Sequence, residues 1–307
     1  MIRYYNRVSK QIEVESVYGN DFLEWAYQGR LGFTLTDRIF SKKWLSLLMG
    51  AYENSAISRS KIPGFIERYG IEMNDYEKTD YSCFNDFFIR RFKPGKRAFA
   101  ESKNIFCAGA EARYLAFENI RSSSRFRVKG IEIDLPRLLG EKNSGEDSLS
   151  SEFDGGTLII ARLCPVDYHR FHFPVSGKIE RAYRVAGNLH SVNPLALGAK
   201  PDVFLENERQ VALLETEAFG KVAMIEVGAL GVGKIVQTAY RLNGSYPVKF
   251  EKGQEKGYFL FGGSTVIWVL QRNRLILSED LAVHSQQGME TWIPLGDPLG
   301  EYGTGRS

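Results

Sequence analysis

The sequence of 307 residues lacks several features that would assign it to a broad class of protein. It has no run of about 18 apolar residues, so we expect no membrane-spanning helix. The N-terminus, MIRYYNRVSK, has none of the apolar segment that a secretory signal requires. With 40 basic and 37 acidic residues the net charge is only +3. That balance is untypical of a nucleic-acid-binding protein, and we expect no nucleic-acid partner.

Cysteine and histidine are also scarce. The three cysteines, Cys83, Cys107 and Cys164, lie far apart and show no metal-ligand spacing. They indicate reduced thiols in a cytoplasmic compartment. Of the four histidines, His169 and His172 fall in one segment, but the sequence shows no obvious third metal ligand. We therefore expect no metal.

The two halves of the chain differ in their apolar periodicity. Up to about residue 100, apolar residues recur at spacings of three and four, which predicts several helices. Pro63-Gly64 is expected to interrupt them. Later in the chain, short β-rich runs alternate with turn residues, which predicts strands at 157–161, 211–214, 222–227, 235–240 and 265–270.

Two shorter segments complete this interpretation. A short helix is expected at 135–139, and the segment 141–156, rich in Gly, Ser and acidic residues, is expected to be a solvated loop. The fold class is therefore α+β. A helical N-terminal region, 1–100, is expected on a mostly antiparallel β core, 101–307.

Within the first region, residues 31–50 combine basic and apolar side chains. Arg38, Lys42 and Lys43 stand among apolar positions that recur at helical spacing. Such a helix suits the interface of an anionic membrane. An amphipathic helix packed on the core of its own protein has the same pattern, so the periodicity leaves both interpretations open.

The segment Phe261-Gly262-Gly263-Ser264-Thr265 joins two β-rich runs. One interpretation is a hairpin turn, because glycine adopts positive φ angles at little cost. The other is chemical: the Ser264 hydroxyl attacks the Gly263 carbonyl, and the peptide bond becomes an ester. β-Elimination and hydrolysis of the resulting dehydroalanine would then release ammonia and leave a pyruvoyl group at a new N-terminus.

Such self-cleavage needs a base to activate the serine. His169 and His172, in the segment DYHRFHFP, are candidates, with a carboxylate to orient the imidazole. A purely structural role for histidines among aromatic residues is the alternative.

The sequence resembles the phosphatidylserine decarboxylases. The likeness rests on DYHRFHFP at 167–174 and KGQEKGYFLFGGST at 252–265, with further matches at 84–95, 187–194, 207–209, 227–229 and 232–233. Each block alone is weak, but their joint occurrence in this order is specific. In detail the chain looks most like the enzymes of chlamydia-like bacteria.

The resemblance implies a role for each matching residue. Ser264 would become the pyruvoyl cofactor, and the cut after Gly263 would give a β chain, 1–263, and an α chain, 264–307. One of His169 and His172 would complete the charge relay for self-cleavage, and we favour His172. The other would assist decarboxylation or bind the head group.

This chain differs from the family pattern at the position of the family's aspartate. Aligning Tyr114-Leu115 with the family pattern places Glu111 at the position of that aspartate. Glu111 keeps the carboxylate but moves it by roughly one C–C bond length. It is our candidate for the orienting acid, and a solvated loop acid is the alternative.

The family implies that the amine of phosphatidylserine forms a Schiff base with the pyruvoyl ketone, loses CO2 and leaves as phosphatidylethanolamine. The expected partners are a bilayer that contains phosphatidylserine and the protein's own α and β chains, with a homodimer as a further assembly to test. The expected location is peripheral, on the cytoplasmic face of a bacterial cell membrane. Two alternatives are a silent relative that is never cleaved and a pyruvoyl decarboxylase of a soluble amino acid.

Overall fold

The computed structural model describes residues 2–15, 25–27, 30–36, 43–121, 126–128, 131–141, 148–229, 234–242, 244–262 and 264–303. The strands are β1 (Arg3–Asn6), β2 (Gln11–Val14), β3 (Ile105–Cys107), β4 (Ala112–Phe117), β5 (Phe126–Val128), β6 (Ile131–Ile133), β7 (Thr157–Leu163), β8 (Arg170–His172), β9 (Gly177–Val185), β10 (Arg209–Thr216), β11 (Gly220–Val227), β12 (Ile235–Gln237), β13 (Val248–Phe250), β14 (Glu255–Phe259), β15 (Ser264–Leu270), β16 (Ile276–Leu277), β17 (Glu290–Ile293) and β18 (Pro298–Glu301).

Among the described residues the α-helices fall into two groups. Four precede the β core: α1 (Arg30–Leu35), α2 (Lys43–Glu53), α3 (Ile62–Tyr69) and α4 (Phe84–Phe88). The other four are α5 (Leu135–Leu139), α6 (Pro194–Ala199), α7 (Val203–Glu206) and α8 (Glu279–Gln287). A 3-10 helix, Ala56–Lys61, joins α2 to α3.

The core is one large sheet of ten strands in the order β13-β9-β10-β11-β15-β7-β4-β17-β1-β2. Every pair in it is antiparallel except β1 with β17. The central strands β7 and β15 are buried along their whole length. Burial on both faces explains why their sequences are nearly continuous apolar runs. The expected mostly antiparallel β core is confirmed.

A smaller sheet, β12-β14-β8, leads into the start of β15. The two histidines of the DYHRFHFP segment belong to this part of the fold: His169 precedes β8, and His172 ends it. The N–H of Phe259, at the end of β14, donates to the carbonyl of His169 over 3.0 Å. The small sheet therefore brings the histidine segment to the residues that precede Ser264.

Three details differ from the sequence predictions. Residues 3–14 form the hairpin β1–β2 at the edge of the main sheet rather than part of a helical region. Pro63 does not interrupt a helix but lies in the first turn of α3, where its missing N–H costs nothing. In the segment 141–156 a 3-10 helix, Leu149–Phe153, buries Phe153 in the core, so this part is not a solvated loop.

Two further predictions concern membranes. No helix within the described ranges combines the length and apolarity that crossing a bilayer requires. Of the amphipathic segment 31–50, residues 37–42, with Arg38 and Lys42, lie outside the described residues.

A cluster of buried or nearly buried charges lies on one face of the main sheet. Arg162 contacts Glu15 at 2.6 Å and Glu290 at 2.5 Å, and Arg113 contacts Asp167 at 2.7 Å and Glu15 at 3.0 Å. We call these five residues the arginine cluster. Burial alone would raise the pKa of Glu15, but Arg162 and Arg113 lower it to about 2.

Candidate active site

Ser264 is the first residue of β15 and stands opposite Leu163 of β7. Its side chain is fully buried, and its Oγ has no hydrogen-bond partner among the residues that the structure describes. Two residues earlier, Gly262 has a φ of 142°, a conformation that L side chains rarely adopt, so glycine is required there. Gly263, the other residue of the expected cleavage site, lies outside the described residues.

His169 is the histidine that borders this segment. Its Nδ1 lies 3.0 Å from the carbonyl oxygen of Asp167, and the backbone of Gly262 lies beside its ring. If Nδ1 carries the proton and donates it to that carbonyl, Nε2 is left as an acceptor. Among the described residues no group donates a hydrogen bond to Nε2, and the Gly262 backbone is within hydrogen-bonding range of the ring. Burial lowers the pKa of His169 to about 3, so the imidazole is neutral at physiological pH. A neutral imidazole with a free acceptor nitrogen can take a proton from a hydroxyl group.

Helix α4 holds both parts of the site together. The ring of Phe88 lies 3.8 Å from the ring of His169 and 5.2 Å from that of Phe261. The Asn85 Oδ1 accepts a hydrogen bond of 2.7 Å from the Phe261 N–H. The loop that leads to Ser264 and the imidazole are thus packed against the same short helix.

His172 lies in a different environment. Its Nδ1 is 2.9 Å from the carbonyl oxygen of Gly253, and its Nε2 is 3.5 Å from the Tyr168 hydroxyl. Burial lowers its pKa as well. None of the contacts that the described residues give His172 involves Ser264. The preference for His172 in the charge relay stays a prediction, and the described contacts do not support it.

Glu111 is buried, so it is not the solvated loop acid considered as the alternative. Its carboxylate accepts a 2.6 Å hydrogen bond from Arg97 Nε, and the Arg97 guanidinium lies 4.3 Å from the centroid of the Phe92 ring. Its described partner is therefore an arginine and not an imidazole.

This site was compared with known proteins. The family model for phosphatidylserine decarboxylase matches residues 84–290. A phosphatidylserine decarboxylase proenzyme of Clostridium botulinum is 40% identical over 302 residues, which are 98% of this chain and 99% of that protein. The proenzyme of Clostridium tetani is 39% identical over 98% of both chains, and that of Fusobacterium nucleatum 38% identical over 97% of both. The chain belongs to the phosphatidylserine decarboxylase family.

As a phosphatidylserine decarboxylase family member, the protein is a carboxy-lyase. The matched segment starts at Phe84, the first residue of α4, and includes both histidines and Ser264. The three relatives are named as proenzymes. They come from clostridia and a fusobacterium, so the expected likeness to the chlamydial enzymes stays a prediction.

Two residues of the site were missed by sequence reasoning. Asn85 orients the loop before Ser264, and Arg90 donates to the carbonyl oxygens of Val166 and Asp167 beside His169. Both belong to the FNDFFIRRFKPG block, which carried the family resemblance without any assigned role. Asn85 lies among the phenylalanines of α4 and Arg90 follows the end of that helix, but only the fold shows what the two side chains contact.

Proposed function

We propose that the protein cuts its own chain between Gly263 and Ser264 and then converts phosphatidylserine to phosphatidylethanolamine and CO2. The observation that carries this proposal is a pair of buried atoms, Ser264 Oγ and His169 Nε2, that have no hydrogen-bond partner among the described residues. Gly262 stands two residues before Ser264, and its backbone lies beside the His169 ring. Unpaired buried polar atoms are costly and are retained mainly where they serve chemistry. The names of the relatives support the same substrate.

In the first reaction His169 accepts the Ser264 hydroxyl proton while Oγ attacks the carbonyl carbon of Gly263. The C–N bond breaks, an ester forms, and the proton passes to the new amine. Loss of the α-proton of residue 264 and of the Gly263 carboxylate from Cβ leaves dehydroalanine, and addition of water with release of ammonia then gives a pyruvoyl group at residue 264. The β chain then ends at Gly263, and the α chain is 264–307.

The second reaction uses that group in a pocket made by the same residues. The pyruvoyl ketone supplies an electron sink that binds the serine amine of the lipid. We assign His169 Nε2 to take the proton that the ammonium group of the lipid loses before it attacks the ketone, and to return that proton to the carbon that has lost CO2. The rings of Phe88 and Phe261 exclude water from this position.

His172 and Glu111 belong to the proposal as supporting residues. The His172 N–H donates to the carbonyl of Gly109 over 2.7 Å, so its strand lies against the segment that carries Glu111. We assign Glu111 as the family's carboxylate, which acts on the histidine segment through the backbone in the uncleaved chain. His172 is assigned to head-group binding.

The topology supports two chains that remain together after cleavage. In the main sheet β15 lies between β11 and β7, and β17 lies between β4 and β1. Both are strands of the proposed α chain, and each is flanked on both sides by strands of the β chain. Separation of the chains would therefore break the central sheet.

Intact mass spectrometry and a decarboxylation assay test this proposal. We expect two chains, with a short chain that begins with a pyruvoyl group, and CO2 release from phosphatidylserine vesicles. Free amino acids should give no release. A single intact chain of 34.8 kDa would indicate the silent relative. Activity on a free amino acid instead would indicate the soluble-substrate enzyme.

The helical N-terminal region, within residues 1–100, is proposed as the part that contacts the cytoplasmic face of the membrane. Leu48 and Tyr52 of α2 and Ile57 of the next helix are exposed, at 59%, 44% and 72%. This surface lies close to the site, because Asn54 Oδ1 accepts a 3.1 Å hydrogen bond from Asn85 Nδ2. A lipid held at the surface would be near the loop that leads to Ser264.

Liposome co-sedimentation tests the membrane contact. We expect Leu48→Glu with Ile57→Glu to lower binding to vesicles that contain phosphatidylserine, because two charged side chains would enter the interface. The matched control is Ile12→Glu, because Ile12 is an apolar residue of similar exposure, 57%, on the β1–β2 hairpin. Equal loss in both variants, or none in the double variant, would exclude this surface. Light scattering of the same samples tests the homodimer.

A further inference from the structure

Arg90 is a buried cation that lacks the usual partners. Its side chain belongs to a residue that is 2% exposed. Nη2 donates to the carbonyl oxygens of Val166 at 2.8 Å and Asp167 at 3.2 Å, while Nε and Nη1 have no hydrogen-bond partner. Among the described residues no carboxylate forms an ion pair with it.

A second buried arginine, Arg209, shows the hydrogen bonds that Arg90 lacks. Arg209, also 2% exposed, donates through Nε, Nη1 and Nη2 to the carbonyl oxygens of Leu138, Leu205, Asn207 and Arg137. All of its nitrogens are therefore paired within the protein. Two of the three nitrogens of Arg90 have no partner among the described residues, and an unpaired buried donor lowers stability.

The aromatic rings around Arg90 attract its charge, and the Tyr76 hydroxyl lies within hydrogen-bonding range of the guanidinium. The guanidinium lies 4.7 Å from the centroid of the Tyr76 ring and 4.9 Å from that of Phe87. Burial raises the pKa of the Tyr76 hydroxyl and the nearby Arg90 opposes that rise, so this hydroxyl is a neutral neighbour and not a counter-ion. The environment suits a cation whose negative partner comes from outside the protein.

The position of Arg90 connects it to the reaction. The carbonyl oxygen of Asp167 contacts both Arg90 Nη2 and His169 Nδ1. The guanidinium and the imidazole therefore share one anchor atom, and Arg90 also helps to lower the pKa of His169. An anion on the free side of Arg90 would lie next to the reactive end of β15.

We propose that Arg90 binds the phosphodiester of the lipid head group. The inference rests on the proposed function, since it takes the head group as the ligand. A guanidinium is a fixed positive charge whose N–H groups donate charge-assisted hydrogen bonds to phosphate oxygens. Nε and Nη1 point to different edges of its plane, and neither has a hydrogen-bond partner among the described residues, so either can donate to a phosphate oxygen.

The substrate has a second anion, its carboxylate, but this group is the poorer partner. Its negative charge disappears as CO2 leaves, so an arginine bound to it would stabilise the substrate more than the transition state and would slow the reaction. The phosphodiester keeps its charge throughout. Binding there holds the lipid in place without raising the barrier.

Arg90→Gln and Arg90→Lys test the assignment on the mature enzyme. Intact mass spectrometry first establishes that both variants are cleaved. KM for phosphatidylserine in mixed micelles should rise roughly ten- to a hundredfold in Arg90→Gln, the loss expected for hydrogen bonds from a charged donor, with kcat nearly unchanged. Binding of glycerophosphoethanolamine, which has the phosphodiester but no carboxylate, should weaken by a similar factor in a calorimetric titration. Arg90→Lys should show a smaller loss in both.

The control is Arg91→Gln, since the neighbouring Arg91 side chain is 52% exposed and pairs with Glu255; its KM should stay within twofold of wild type. A higher KM with unchanged glycerophosphoethanolamine binding would move Arg90 to the carboxylate and overturn the proposal. Unchanged KM and binding would make Arg90 structural. If Arg90→Gln does not fold, Arg90→Lys decides by the same two measurements. A wild-type enzyme that binds glycerophosphoethanolamine through Arg90 but releases no CO2 would contradict the proposed function alone.

Discussion

Two buried polar regions of the molecule differ in whether their polar groups have partners within the protein. In the arginine cluster Arg113 and Arg162 contact carboxylates at 3.0 Å or less. In the region of Ser264, His169 and Arg90, the atoms Ser264 Oγ, His169 Nε2 and two nitrogens of Arg90 have no hydrogen-bond partner among the described residues. Both regions are close in space, since Arg162 stands opposite Thr265, whose side chain points to the other face of the sheet from that of Ser264.

The paired groups contribute to the stability of the fold, and the unpaired groups are the ones available for function. The ion pairs of the arginine cluster join β4, β7 and β17 to Glu15, which follows β2, and to Asp167, and each of the two arginines contacts two carboxylates. Unpaired groups lower stability, and they persist where substrate or a reaction step supplies the missing partner. Asp167 joins the regions: its carboxylate pairs with Arg113, and its carbonyl oxygen contacts His169 and Arg90.

The strongest test of the unpaired region is Ser264→Ala. Removal of the attacking hydroxyl should abolish cleavage, leaving one chain of 34.8 kDa without decarboxylase activity. The control is Thr265→Val, because Thr265 Oγ1 is also buried without a partner but points to the other face. It should be cleaved normally. Intact mass spectrometry distinguishes the two, and cleavage of Ser264→Ala would contradict the assigned bond.

The next test separates the two histidines. His169→Gln should slow self-cleavage roughly 10²- to 10⁴-fold, the usual contribution of a positioned base. His172→Gln should still be cleaved, because the described contacts of His172 are with Gly253 and Tyr168. Time courses of the band shift after synthesis in vitro measure both rates. The opposite order would restore His172 to the charge relay.

The sequence predicts the features that depend on neighbouring residues in the chain, and it does not predict those that depend on residues far apart in the chain. The strands at 157–161, 211–214 and 222–227 fall inside β7, β10 and β11, because β-rich runs between turn residues are local signals. The helix at 135–139 matches α5 for the same reason. Ser264 was singled out by the two glycines before it together with the family resemblance, and its role stays a prediction.

The contacts that decide function are not local. The bond between Asn85 and Phe261 spans 176 residues, and that between Arg90 and Asp167 spans 77. Nor could spacing within DYHRFHFP show which imidazole faces Ser264, since that depends on how the small sheet meets β15. The hairpin 3–14 was missed because its partner, β17, lies at the far end of the chain.

The paired region is tested by Glu290→Gln. Loss of this carboxylate leaves Arg162 with only Glu15, and removal of one partner from a buried pair destabilises by about 3 kcal/mol. Urea unfolding in the Ser264→Ala background, which keeps one chain, measures the free energy of unfolding. Glu217→Gln is the control, because its pair with Lys103 is 80% and 79% exposed. Equal values for both variants would show that the cluster contributes little.

The smallest expected effect is on how the free energy of unfolding depends on pH, and it comes from His169 in the unpaired region. The pKa of His169 is about 3 in the folded protein, against about 6.5 in the unfolded chain. Between these values the unfolded chain binds the additional proton, so stability is lost as pH falls below about 6.5, by at most about 1.4 kcal/mol per pH unit. Between pH 7.5 and 5.0 the Ser264→Ala protein should therefore lose about 2 kcal/mol more than Ser264→Ala with His169→Gln.

Urea unfolding of both proteins at the two pH values measures that difference directly, and His172 and the carboxylates cancel because they are present in both. An equal loss would mean that His169 takes up its proton in the folded protein as it does in water. The imidazole would then be solvated or paired with an acid, and the contrast between a paired and an unpaired region would not extend to this histidine.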